Sequence, residues 1–316
     1  MESEEAKMIL SRGSLKNARA FIEAKARPLE KARLHYHFDG GLATDVVEEL
    51  AKFQNSDGGF GNALEPDLRT PESSALATSI AFQLFREIDL GTSDAMAPSG
   101  ARYLVDTFDD VRMTWRIIPK TAENSPHAPW WGQAGREENF NIFSLNPTAE
   151  LLGYLFEYGK DVVPPDQLLT IWRKILSHLG NLDKIEMHDF LCCKRLAETT
   201  GLDAGLKAQL IDNLRRLLEN TISLQSSQWL KYGLRPIQVA DSPKSPFFES
   251  LRDAVMENLD FEVKTQQENG SWVPTWSWGD NYPDVWEKAK IEWSGALTVE
   301  KLIVLKRYGR IEGMPT

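Results

Sequence analysis

The chain reads as an all-α protein built from helical hairpins, and three observations predict that class. Strand signals are nearly absent: no hairpin dipeptide sits between alternating apolar residues. Apolar residues recur instead at three- and four-residue spacing, as in Leu206, Leu210, Leu214 and Leu217. A compound pattern also occurs twice. Gln54-Asn-Ser-Asp-Gly-Gly-Phe60 precedes a small-residue helix at 72–88, and Gln267-Glu-Asn-Gly-Ser-Trp272 precedes another at 292–308. Laid over each other, the two helices set Glu292 on Glu72, Ser294 on Ser74 and Thr298 on Thr78. A doubled unit of this kind marks a repeat architecture, expected to occupy residues 1–316 as one domain of five to six helical hairpins.

Each element has its own signal. Residues 14–37 carry a helical pattern with Ser14 as N-cap and a break at Pro28. Thr44 caps an amphipathic helix with Val46, Val47, Leu50 and Phe53 on one face. After the first Gln turn and the helix 72–88, an outer helix is expected at 98–108, then a long loop from 111 to 145. Asn146-Pro147 opens the next inner helix, with proline in its first turn, ending at Gly159. Residues 166–179 and 186–199 pair, each ending near a glycine. Residues 203–222 and 247–264 are further helices, separated by a Pro- and Ser-rich loop.

Composition narrows the function classes. With 42% apolar and 26% charged residues the chain is an ordinary soluble one, able to bury a large core. Its 36 basic against 46 acidic residues leave a net charge of −10 with no basic cluster, which excludes nucleic acid and anionic membranes as partners. The start Met1-Glu-Ser-Glu-Glu is the opposite of a secretory leader, and no apolar run approaches membrane-spanning length, so no membrane insertion is expected. Cys192 and Cys193 are adjacent, which disfavours a disulfide and fits a reducing, cytoplasmic setting.

The Gln turns carry a resemblance. Gln267, Gly270 and Trp272, and Gln54, Gly58 and Phe60 with Phe in place of Trp, resemble the "QW" repeat of squalene–hopene cyclases. The chain is thus similar to the terpenoid cyclase and prenyltransferase superfamily. The resemblance implies an α/α toroid whose inner helices ring a ligand cavity. A Gln at the end of an outer helix would bond its exposed carbonyls while the aromatic packs beneath. The superfamily's standard chemistries are not implied. Asp106-Thr-Phe-Asp109-Asp110 has the wrong spacing for the Asp-x-Asp-Asp proton donor. Asp189 and Cys192 are one residue too far apart for the zinc motif, and no Asp-Asp-x-x-Asp box occurs.

Four constellations remain. Asn124-Ser-Pro-His127-Ala-Pro-Trp130-Trp131-Gly132 locks one histidine between two prolines inside a long loop, as a general acid/base would be held, or as a rigid packed lid. Glu65-Pro-Asp67 lies before the first inner helix, where carboxylates are catalytic candidates or plain N-terminal dipole partners; Glu72 and its copy Glu292 read as structural. His188 and Cys192 share a helix face, but two ligands do not make a metal site, and His188 is kept as an acid/base candidate. Trp272-Val-Pro-Thr-Trp276-Ser-Trp278-Gly-Asp280-Asn-Tyr282 offers Trp276, Trp278 and Tyr282 as pocket walls or as packing.

Phosphate loops and nucleophile elbows are absent, so neither metal nor cofactor is expected. The leading expectation is a metal-independent cyclase or isomerase of an apolar small molecule, such as an isoprenoid derivative. His127, Glu65, Asp67 and His188 would move protons, and Trp130, Trp131, Trp276, Trp278 and Tyr282 would line the substrate. The alternatives are a carbohydrate-active toroid enzyme with paired carboxylates and a non-catalytic carrier of an apolar ligand.

Overall fold

The structure, a computed structural model, describes residues 7–92 and 94–314; the acidic start at 1–5 lies outside the described residues. It is mostly helical, and twelve α-helices run through the described residues: α1 (Arg12–Lys25), α2 (Pro28–Asp39), α3 (Ala43–Ala51), α4 (Ala75–Glu87), α5 (Met96–Asp106), α6 (Leu145–Tyr158), α7 (Pro165–Gly180), α8 (Met187–Ala197), α9 (Ala204–Leu218), α10 (Pro236–Val239), α11 (Phe248–Thr265) and α12 (Pro283–Arg307). A two-residue ribbon, β1 (Phe108–Asp109) with β2 (Thr114–Trp115), pairs antiparallel around a turn. None of the described helices is long and apolar enough to cross a membrane.

The caps explain most shifts from the expected boundaries. Ser11, rather than Ser14, caps α1 by accepting the Ser14 N–H. Ser74 caps α4 and takes the Ala77 N–H at 2.9 Å, so the inner helix starts inside the expected 72–88. The larger difference is α12, which begins at Pro283 rather than near 292. Proline at its start suits the first turn of a helix, and the charged residues that follow extend it without a break.

Tertiary contacts gather the chain into two compact units. A terminal unit takes in the described chain up to Leu42, then Ile222–Ser277 and the chain from Trp286 on; a central unit takes in Ala43–Thr221 and Trp278–Val285. In the terminal unit the two ends of the chain are zipped together. Leu10 pairs with Ile311, its N–H donating to Arg310 O at 2.8 Å. The buried Arg310 guanidinium donates to Met8 O at 2.8 Å and pairs with Asp260. Deeper in, Glu262 Oε1 collects Lys301 at 2.6 Å and Arg235 at 3.1 Å, which makes a buried carboxylate tolerable. In the central unit, α6 packs along α8, and Glu150 of α6 accepts from Gln83, Tyr154, Cys192 and Arg195 on three helices.

Each unit contains one Gln turn, and the two turns are built alike. Gln54 Nε2 donates to Gly58 O at 2.9 Å and to Met96 O at 3.2 Å; Gln266 Nε2 donates to Gly270 O at 2.9 Å and to Ser14 O at 3.1 Å. The counterpart of Gln54 is therefore Gln266, not Gln267. These two amides reach the carbonyls of their own turns and of an adjacent helix start, while Gln267 Nε2 donates to Thr265 O at the end of α11, at 3.3 Å. Phe60 N–H donates to Thr78 Oγ1 and Trp272 N–H to Thr298 Oγ1, both at 3.1 Å. Gly58 and Gly270 stand at φ +88° and +89°, and a Cβ on either would strike the backbone of the neighbouring helix, at Ser99 or at Asn17–Ala18. Only glycine fits there.

Candidate functional site

The chain leaving Phe60 turns back on itself before reaching α4, and this return builds the site. Asn62 and Ala63 both adopt left-handed backbone, φ 54° and 61°. A non-glycine residue there costs about 1–2 kcal/mol. The loop holds that strain through bonds on every side. Gly61 N–H donates to Phe53 O at 3.0 Å, Asn62 Nδ2 to Asn55 Oδ1 at 3.0 Å, and Asn55 Nδ2 to Pro71 O at 2.9 Å. The reversal turns Glu65 and Asp67 inward, leaving them 6% and 3% exposed. Both are far too buried to serve as exposed helix-dipole partners.

The histidine loop then zips onto the acid loop. Leu68 and His127 form an antiparallel bridge, with Arg69 N–H donating to Pro126 O at 3.0 Å and Ala128 N–H to Asp67 O at 2.8 Å. Pro126 and Pro129 flank His127 and fix the backbone in the extended form that this pairing needs. His127 is 8% exposed. Its Nδ1 lies 2.7 Å from Ser125 O, a carbonyl that can only accept, so Nδ1 carries a proton, and Nε2 is the lone-pair nitrogen of the tautomer this contact selects. Nε2 faces Gly132, 3.6 Å from where a Cβ would stand.

Aromatic residues close around these groups. Trp131 packs against Leu68, Ile118 and Ala122, and its indole nitrogen is buried. Trp278 is 1% exposed and donates its indole N–H to Asp67 Oδ1 at 2.7 Å. It anchors a carboxylate, which differs from the wall expected of it. Tyr282 stands 6.0 Å from the His127 ring, centroid to centroid, and is 44% exposed, so the histidine lies just beneath the surface. Trp130 is 40% exposed on the same loop.

Electrostatics set Glu65 apart from an ordinary carboxyl. Burial is the largest influence on Glu65 and the charge of Asp67 the next; together they hold its pKa well above the usual carboxylate range. The N–H groups of Asp67 and Leu68 oppose this, as does the Trp131 indole. That indole is near enough to favour the carboxylate, yet falls short of hydrogen-bonding geometry. Glu65 Oε2 and Trp131 Nε1 are each buried without a partner. Each such atom costs about 1–3 kcal/mol, a sign of a site shaped for something other than stability. Glu65 thus holds its proton to higher pH than an ordinary carboxyl does.

The remaining candidates have partners of their own. Trp276 belongs to the terminal unit and packs edge-on against Trp293, centroids 5.2 Å apart. His188 is in the first turn of α8, where Glu186 caps the helix by accepting the His188 N–H at 2.6 Å. Its ring is crowded by protein, and that desolvation, ahead of the opposing pull of Glu186, lowers its pKa although the residue stays open to water. Asp189 next to it is pushed up to about 6, first by burial and then by Glu186. Cys192 points inward, donating to Glu150 Oε1 at 3.2 Å, and burial keeps it a thiol rather than the thiolate that metals require. Asp109 closes the turn after β1 by accepting the Arg112 N–H at 2.9 Å and pairing with its guanidinium, a structural task. Glu72 is exposed and accepts the Thr121 hydroxyl, whereas Glu292 is buried within α12 near Lys288.

Glu150 went unread in the sequence, although a lone acid inside the apolar run 147–155 is a signal that a buried network surrounds it. Comparison with protein families, with curated proteins and with solved structures finds no match for this chain, so function has to be read from the site's own geometry.

Proposed function

We propose that the central unit is a metal-independent acid–base catalyst, a cyclase or isomerase acting on an apolar small molecule. The observation that carries this reading is the pairing of the loops at 65–69 and 126–128. It brings the loop that buries Glu65 against the loop of His127, whose Nδ1 is engaged by Ser125 O. In this reading Glu65 gives a proton to the substrate and His127 takes one. Burial, and after it the charge of Asp67, which Trp278 holds, raises the pKa of Glu65. Trp130, Trp131 and Tyr282 offer the apolar and cation-tolerant surface that such a substrate needs. The toroidal, terpenoid-cyclase-like arrangement of the helices belongs to the same proposal, supported by the two matching Gln turns. So does a cytoplasmic setting, which the two free, buried cysteines suit.

The test is the protonation state of Glu65. Infrared difference spectra of the intact chain against Glu65→Gln, with labelled glutamate, are expected to show a protonated carboxyl at neutral pH. Native mass spectrometry against neutral isoprenoids, prenyl diphosphates and oligosaccharides is then expected to retain a neutral isoprenoid. An ionised Glu65 at neutral pH, or retention of oligosaccharides alone, would sink the proposal.

A further inference from the structure

Glu65 Oε2 and Trp131 Nε1 are neighbours in one buried site, and both lack a hydrogen-bond partner among the described residues. Neither can be satisfied by an apolar ligand skeleton. An indole nitrogen can only donate. A carboxyl kept neutral by burial also has a proton to give, and its orphaned oxygen is the one on offer. Two donors side by side call for one acceptor between them. Asp67 does not fill this place, since its Oδ1 is engaged by Trp278.

We infer that the ligand of this site carries a carbonyl oxygen, held between the Trp131 indole N–H and the Glu65 carboxyl O–H, with His127 Nε2 acting on the adjacent carbon. The inference rests on the acid–base reading above and adds the substrate class: an enolisable ketone or aldehyde on an otherwise apolar skeleton. In the forward step the His127 Nε2 lone pair takes a proton from the carbon next to the carbonyl. The C–H electron pair becomes a C=C bond, and the carbonyl π pair moves onto oxygen, where the two donors hold it. The imidazolium then returns the proton to the same carbon or, in a conjugated substrate, to a more distant one, and the C=O bond re-forms. The net change is an isomerisation, with no oxidant, reductant or leaving group. Preorganised donors aimed at a developing oxyanion are worth roughly a hundred- to a thousandfold in rate each.

Three matched terpenoid probes test the inference on the intact chain: carvone, a cyclic enone; carveol, its alcohol; and limonene, the hydrocarbon. Binding is read by tryptophan fluorescence and native mass spectrometry, and exchange at the α carbon of carvone by proton NMR in deuterium oxide. Carvone is expected to bind at least about tenfold more tightly than limonene, with carveol between, because only the carbonyl puts a proton-free acceptor between both donors. Trp131→Phe and Glu65→Leu should each abolish the preference. Glu65→Gln, which keeps an N–H donor, should retain part of it and guards against variants that merely misfold. His127→Ala should stop exchange while leaving the preference intact. Equal binding of carvone and limonene, or a preference surviving both Trp131→Phe and Glu65→Leu, overturns the inference. An indole proton of Trp131 found bonded to Glu65 instead of to the carbonyl, with carvone bound, overturns it too. Preference for carvone without exchange supports the carbonyl grip and instead sinks the acid–base reading beneath it.

Discussion

The two Gln turns are the same device with different consequences. In both, a glutamine amide ties a left-handed glycine to an adjacent helix start, and an aromatic residue hands its N–H to a threonine on the following helix. Past the aromatic they part. After Phe60 the chain folds back so tightly that Ser74 N–H reaches Phe60 O at 2.9 Å, and that forced return buries Glu65 and Asp67. After Trp272 the chain runs out through Trp276 and Trp278, and the next helix starts early, so Ser294, the counterpart of the cap Ser74, lies inside α12 and donates to Lys290 O. The turn is therefore scaffold, and the loop that follows it is where chemistry is placed. This is the usual division of labour between rigid elements and the loops they hold.

The largest effect should come from breaking the shared part. Gly58→Ala and Gly270→Ala each set a Cβ into the backbone of a neighbouring helix at positive φ, and each is expected to destabilise by about 3 kcal/mol or more in chemical denaturation. Gly40→Ala, at φ +69° with open space around it, should lose only about 1 kcal/mol. Similar modest losses at all three positions would refute the equivalence of the turns.

A medium effect should mark the unshared loop. The folded chain holds the Glu65 proton above the ordinary glutamate pKa of 4.5, where the unfolded chain has released it. The stability contributed by this group is therefore present below that pH and lost as pH rises toward the folded value, with a slope of at most about 1.4 kcal/mol per pH unit. Glu65→Gln should flatten the decline and overtake the parent chain by about 1–3 kcal/mol near neutral pH. Parallel stability–pH curves for the two would count against a buried neutral Glu65. The smallest effect separates adjacent glutamines: Gln266→Ala should cost about 1–2 kcal/mol, and Gln267→Ala less than about 0.5.

The helices were legible because their signals are local. Leu206, Leu210, Leu214 and Leu217 share a face whatever lies opposite, and Asp203 caps α9 from within three residues. The pairing of Gln54 with Gly58 was legible for the same reason. Its copy was misread by one residue because Gln266 and Gln267 look alike until the bond to Ser14, far off in sequence, chooses between them. Glu65, Asp67 and His127 could be picked out singly, by their odd settings among prolines and tryptophans.

By itself, then, the sequence determined a mostly helical chain, a twice-used glycine turn and a short list of groups able to move protons. Only the tertiary structure decided which of those groups meet. It joined His127 to the acid loop through backbone bonds that any residue types could make. It set Trp278 on Asp67 across 211 residues of chain, packed Trp276 edge-on against Trp293 and bound the His188 N–H to the cap Glu186. Burial, the largest cause of the raised Glu65 pKa, depends on everything packed around the side chain, and no stretch of neighbouring residues encodes it.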